Sequence, residues 1–280
     1  MLCNSHRAKG SRFLGDVPRT MTVETYKTYL QALRASPLDG KMMPYNWADL
    51  RKPVSARWLV YSQMLDEFAR ELANSVNKLT TNVQKLSDWA AVLQDADEEK
   101  QFEIAHEFID DLATNTLMLP YVIKSRFAFS IAHLSHQANR VWSNNWKDDL
   151  ALDAAIYLDA TDARAPHWQS YKKLKLSVEA INGRSFKAAT GDFRNAYNHR
   201  FSPRFVFGVT QIVTRTVDEA TGRINYGIGG RPPLQLKALV ELLDKERNRC
   251  YIAFERFQIL INEQISAIAD SQARLSDAHR

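Results

Sequence analysis

The stretch Asp192-Phe-Arg194-Asn195-Ala-Tyr197-Asn198-His199-Arg200 gathers the side chains best suited to chemistry in this 280-residue chain. An imidazole carries protons near neutral pH. A guanidinium is a permanent cation that meets a phosphate with two parallel N–H donors. The flanks are basic: residues 164–204 hold Arg164, Lys172, Lys173, Lys175, Arg184, Lys187, Arg194, Arg200 and Arg204 against only Glu179 and Asp192. Trp168, Tyr171, Phe186, Phe193 and Tyr197 are interleaved with them. Charge of this kind meets backbone phosphates, and rings left exposed can stack on unpaired bases. Plainer readings stand beside these. Lys172, Lys173 and Lys175 also suit a solvated helix face, Phe193 and Tyr197 a core, Arg194 an ion pair, and His199 a helix C-terminal cap favoured by the dipole.

Other chemistries find less support. Glu103-Ile-Ala-His106 has the Glu-x-x-His spacing of carboxylate-bridged metal pairs, but such sites need a second copy and the chain has none. His133 and His136 lie three apart and fit a polar bundle edge. There is no phosphate loop, dinucleotide fingerprint or nucleophile elbow. No metal site and no cofactor are expected.

Arg194-Asn-x-x-x-His199 resembles the Arg-x4–6-His motif of the HEPN superfamily, helical-bundle proteins that are often metal-independent ribonucleases. Asn195 supplies the polar residue that the family prefers after the arginine, and Pro203 suits a helix ending just past the motif. Two other pairs fit the bare spacing, Arg126 with His133 and Arg274 with His279, but Phe127 and Leu275 follow those arginines. The resemblance covers about residues 140–275. It implies an endoribonuclease of toxin or defence type in which the ribose 2′-hydroxyl attacks the neighbouring phosphate. His199 would then be general acid or base and Arg194 the phosphate clamp. Asn195 would orient phosphate or histidine, and Tyr197 would stack or hydrogen-bond, with Asn198 in support. Lys172, Lys173, Lys175, Lys187, Arg200 and Arg204 would carry RNA. The family also implies a homodimer with both motifs at the interface, and an antitoxin or regulatory partner. The alternative is a non-catalytic helical module that binds RNA, a nucleotide or a protein; a dimeric coiled-coil-like scaffold is a third reading.

Positioning such a pair is the difficulty. Residues five apart on a helix sit about 140° around its axis, so Arg194 and His199 converge only if the helix frays or two chains contribute. The elements expected to hold them form an all-α, antiparallel helical bundle with one inserted β-hairpin. Apolar residues recur every three or four positions over about 55–95 and 234–275, predicting two long amphipathic helices. Shorter helices are expected at about 22–35, 98–117, 120–142, 148–159, 168–182 and 184–199. From 205 to 228 the residues turn β-branched and aromatic around Asp218-Glu-Ala-Thr-Gly222, which predicts the hairpin, a candidate docking element.

Composition bounds the rest. Apolar residues make up 45% and charged residues 25%, with a net charge of +5; this excludes a collagen, a disordered chain and a disulfide-rich miniprotein. Residues 1–20 read as a flexible basic tail and 21–280 as one domain. Cys3 and Cys250 make neither a disulfide framework nor a zinc site, and a cytoplasmic location is the simplest expectation. The best apolar stretch, Leu117 to Leu134, is interrupted by Pro120, Lys124, Arg126 and His133, so no membrane span is expected.

Overall fold

The computed structural model describes residues 19–48, 50, 54–143, 145–153 and 156–277. Residues 1–18 of the expected tail, with Cys3, and His279 of the third Arg–His pair lie outside them. Arg19 and Thr20, also assigned to the tail, already belong to the first helix, α1 (Arg19–Ala35).

Both long amphipathic patterns form helices. The first, α2 (Leu59–Gln94), is entered through a short 3-10 turn at Ala56–Trp58. Its stripe of Tyr61, Leu65, Leu72, Val76, Leu79, Val83, Leu86 and Trp89 is buried. The last helix, α9 (Leu236–Asp277), buries Leu239, Leu243, Cys250, Phe254, Phe257, Ile261 and Ile268. Between them α3 (Glu98–Ile104) is capped by the Asp97 carboxylate, which accepts from the Lys100 N–H at 2.9 Å. A π-turn at Ala105–Ile109 leads from α3 into α4 (Asp110–Ala138).

The expected break near Pro120 does not occur, and α4 runs straight through it. Proline forfeits one hydrogen bond, but Leu117, Leu119, Ile123 and Phe127 around it are buried against the neighbouring helices, and that packing outweighs the loss. The helix α2 packs on both α4 and α9. Cross-helix partners set the directions. Ser75 of α2 meets Arg126 of α4, Thr80 of α2 meets Tyr251 of α9, and Phe127 of α4 meets Phe257 of α9. Together with the polar layer described next, these pairings make α2 antiparallel to both α4 and α9, which run the same way as each other. At the other flank, α1 docks on α2 through Tyr29, stacked on Trp89 at 4.1 Å.

One polar layer crosses all three long helices. The Tyr61 hydroxyl donates to Gln264 Oε1 at 2.9 Å, and Gln264 Nε2 donates to Ser135 Oγ at 3.1 Å. All three residues are buried, and burial drives the Tyr61 phenol well above its usual pKa. The layer lets only one axial register satisfy its donors and acceptors together.

Shorter elements decorate this frame, and several depart from the expected boundaries. The segment 148–159 is not one helix: residues 145–152 are irregular and α5 starts only at Leu158 (Leu158–Arg164). Side chains explain this, since Asp148 pairs with His136, Asp149 with Arg164, and Trp146 donates to the His136 carbonyl. Such long-range partners compete with local helix formation. The helix α6 (Tyr171–Ala180) is shorter than its pattern. The expected helix 184–199 divides into α7 (Arg184–Thr190) and α8 (Phe193–His199). Gly191 and Asp192 between them both have positive φ, +67° and +50°. The left-handed φ of Gly191 is what favours glycine at this turn; the Arg231 guanidinium that lies over it is the mobile end of an exposed side chain. The hairpin is confined to β1 (Val213–Val217) and β2 (Ile224–Ile228), antiparallel with Val213 opposite Ile228. Phe205 and Thr210 form only isolated bridges, to Leu234 and Arg231.

Replacing Gln264 by leucine should strand the Tyr61 hydroxyl and lower unfolding free energy by about 1–3 kcal/mol in urea titration. Adding Tyr61→Phe should recover part of that loss, because the orphaned donor is then removed.

Candidate functional site

The residues of the Arg194–His199 segment are held by α8, a seven-residue helix resting on α4. Phe193 is its anchor: buried, with ring centroids 5.6 Å from Phe205 and 5.9 Å from Tyr197. Arg194 follows and is half-buried. Its guanidinium carbon lies 4.2 Å from the centroid of the Tyr121 ring, and Nη2 donates to the Tyr121 hydroxyl at 3.3 Å. A guanidinium over an aromatic face is held by the ring's quadrupole, so α4 fixes the direction of Arg194.

His199 is the last residue of α8 and is exposed. The helix remains regular up to it, since the Arg200 N–H still donates to the Ala196 carbonyl at 2.8 Å. Arg194 is therefore turned toward α4 while His199 stands on another part of the helix surface, as five-residue spacing requires. Within one chain, α8 does not fold the pair onto one face. Asn195 is half-buried, whereas Tyr197, Asn198 and Arg200 are exposed.

The remaining basic residues are spread over elements that rest on different long helices. Lys172, Lys173 and Lys187 are exposed. Lys175 is engaged: its Nζ lies 2.7 Å from Asp162 Oδ2 and 3.7 Å from Glu179 Oε1. The hydrogen bond to Asp162 raises the pKa of this lysine. Arg204 is exposed, near Asp110. The basic helix α6 packs on α9, which holds it along its length. Glu263 accepts from the Gln169 and Ser170 N–H groups at 2.7 and 3.0 Å, Arg256 donates to the Lys173 carbonyl at 2.6 Å, and Glu246 accepts from Asn182 N–H at 2.8 Å. Of the aromatics interleaved with the charges, Trp168, Tyr171, Phe186 and Phe193 are core residues; Tyr197, 52% exposed, is the ring among these five that reaches solvent. A stacking surface built from the whole set is thereby corrected to one ring, since packing against the long helices and Phe205 takes the other four into the core.

The histidines of α4 form a separate polar cluster. His136 is buried, with Nε2 3.0 Å from Asp148, and His133 Nε2 lies 3.3 Å from Asp153. Glu103 is buried while His106 is exposed, so that spacing does not present two ligands to one point. Among the described residues no group of three His, Cys, Asp or Glu is arranged to hold a metal ion, and no helix is long and apolar enough to cross a membrane.

Four residues that position the candidate site were not legible in the sequence. Tyr121 follows Pro120 in a segment expected to be a helix start, and nothing local links it to an arginine 73 positions away. Glu263, Arg256 and Glu246 lie off the apolar stripe of α9, and nothing in the sequence links them to α6, which they position. No family model, no curated protein and no solved structure matches this chain.

The α4 cluster gives a pH dependence. Burial lowers the His133 pKa from its usual 6.5, outweighing Asp153 and Asp148 across from it, with His136 adding to the depression. The unfolded chain takes up that proton more readily than the folded one, so stability is lost as pH falls below 6.5. Urea midpoints for the wild type should drop more steeply between about pH 7 and pH 5.5 than those of His133→Asn, which carries no proton to bind.

Proposed function

We propose that this protein is a HEPN-like, metal-independent endoribonuclease of toxin or defence type that works as a homodimer. The observation that carries the reading is Arg194-Asn195-x-x-x-His199 on α8, with the arginine oriented by Tyr121 and the histidine exposed at the helix end. Opposed copies of α8 would let the Arg194 of one chain serve the His199 of the other, which answers the 140° separation that about five residues impose. In the reaction an imidazole removes the proton from a ribose 2′-hydroxyl. The 2′-oxygen attacks the adjacent phosphorus, and the 5′-oxygen leaves with a proton from a general acid. The products are a 2′,3′-cyclic phosphate and a free 5′-hydroxyl. His199 supplies acid or base, and Arg194 neutralises the charge that builds on the phosphoryl oxygens. Asn195 and Asn198 offer amides for orientation, and Tyr197 offers a ring to one unpaired base. Lys172, Lys173, Lys187, Arg200 and Arg204 meet RNA phosphates, with Lys175 shared between that role and Asp162. A protein antitoxin or regulator is the partner this class implies.

A second reading rests on the same arginine. A guanidinium held by both a ring face and a hydroxyl also suits a purely structural contact, in which case the chain is a non-catalytic module that binds RNA, a nucleotide or a protein.

Incubation with single-stranded and structured RNA in EDTA separates the two. Cleavage to cyclic-phosphate ends should fall by about 100-fold or more in His199→Ala and Arg194→Ala, the scale typical of acid–base and charge-stabilising groups. Wild-type rates in both variants would remove these residues from the site. Binding without cleavage in the unmodified protein would favour the second reading.

A further inference from the structure

The hairpin β1–β2 stands apart from the bundle with all ten strand residues exposed. Strand alternation divides its side chains sharply. Val213, Arg215 and Val217 share one face with their cross-strand partners Ile228, Tyr226 and Ile224, while Thr214, Thr216, Asn225 and Gly227 occupy the other. The apolar face is open: Tyr226 is 69% and Ile228 92% exposed. A two-stranded ribbon alone is marginal in water, and an apolar edge of this kind is a template for further pairing.

Its free backbone groups can be assigned. Asp218 N–H donates to the Arg223 carbonyl at 2.8 Å and Gly229 N–H to the Ile212 carbonyl at 2.9 Å. Hydrogen-bonded pairs alternate along an antiparallel ladder. Residues 224, 226 and 228 therefore direct their N–H and C=O groups away from β1, toward the outer edge of β2, and residues 213, 215 and 217 do the same on the outer edge of β1.

We propose that the outer edge of β2 pairs with the same edge of a second copy of this chain, forming a four-stranded antiparallel sheet about a two-fold axis at Tyr226. In that register Tyr226 faces its symmetry mate and Ile224 faces Ile228, so every outward N–H and C=O of the strand finds a partner. Each contact of this register is made twice, Ile224 with Ile228 and Ile228 with Ile224, as in any isologous interface. Charge favours this edge over its alternative. The outer edge of β1 could pair in the same way, but a two-fold at its centre would set Arg215 directly against Arg215, a destabilising pair. The β2 register instead sets Ile224 against Ile228 and Tyr226 against Tyr226 and places no like charges directly opposite one another. Asp218 accepts the Thr221 and Ala220 N–H groups, which hold its pKa down and keep it charged. Residues 212–229 carry two basic and two acidic side chains, so they bring no net repulsion to the contact. Two paired ribbons bury less than the ~1,200 Å² of a standard stable complex, so the dimer is a weak one, in the micromolar range, unless α8 contributes further contact. The surface stands on the hairpin's geometry and does not depend on RNA cleavage.

Cross-linking in a Cys3→Ser background tests it, with Cys250 buried. A hydrogen-bonded pair spans about 5.5 Å between Cα atoms, within disulfide range. Tyr226→Cys should oxidise to a covalent dimer, and Arg215→Cys, on the other edge, should not. Sedimentation of the unmodified protein should show a concentration-dependent dimer that Tyr226→Lys shifts to monomer, with far-ultraviolet circular dichroism unchanged. A protein monomeric at every concentration, a dimer that survives Tyr226→Lys, or equal cross-linking through Arg215→Cys would each overturn the proposal. Loss or retention of RNA cleavage in Arg194→Ala bears on the active site and leaves these outcomes unaffected.

Discussion

Everything peripheral in this molecule depends on the antiparallel contact that α2 makes with α4 and α9. Burial of their apolar stripes provides the driving force, but apolar stripes alone tolerate axial sliding by a turn. The hydrogen-bonded layer of Tyr61, Gln264 and Ser135 does not, because a shift would leave three buried polar groups without partners. Once that register is set, the outer flank of α9 becomes a fixed ruler. Glu263, Arg256 and Glu246 then meet the start, middle and end of α6 at positions spaced along its axis. The basic segment is thus placed by ionic side chains of a helix far away in sequence.

The helix α8 hangs on a different support. It is too short to persist alone, since isolated helices below about 12 residues are marginal, so its position is owed to Phe193 in the core and to Arg194 over Tyr121. This has a chemical consequence. A cation used to dock its own helix is well oriented but partly satisfied, whereas the exposed His199 is chemically available but loosely directed. On the ribonuclease reading, the arginine is the fixed element and the histidine must be ordered by substrate or by a second chain. On the binding reading, the same asymmetry says that the arginine builds the fold and the histidine decorates it.

Most of the architecture was legible because the long helices carry sustained periodicity, and even the hairpin announced itself through β-branched alternation around Asp218 to Gly222. The failures have a common cause. Pro120 looks like a boundary locally, but buried neighbours on both sides hold α4 together. Residues 148–159 look helical, but Asp148, Asp149 and Trp146 are claimed by His136 and Arg164 from elsewhere. The division at Gly191 and Asp192 is made by two successive left-handed residues, the first a glycine that caps α7, which a helical periodicity read across 184–199 passes over. In the candidate site the motif was readable and its exposure was not. Phe193 and Tyr197, four apart, share a helix face, so spacing alone could not tell the buried ring from the exposed one, and the bond between Arg194 and Tyr121 joins two segments that no local pattern connects.

The two exposed features of the molecule differ in electrostatic character, and the difference constrains how they can act together. The basic segment 164–204 repels its like at close range, so two copies of α8 gain nothing from long-range attraction. The hairpin is neutral, apolar on one face and separated from the end of α8 by residues 200–212. If it brings copies together, it does so through short-range contacts that salt strengthens rather than screens, whereas any binding of an anionic polymer by the lysines and arginines would weaken as salt rises. Association of the chain with itself and association with an anionic polymer would then respond to ionic strength in opposite directions. An anionic strand running between two copies would remove the repulsion that opposes apposition of their α8 helices, so that such a ligand and a second copy would each favour the other's binding.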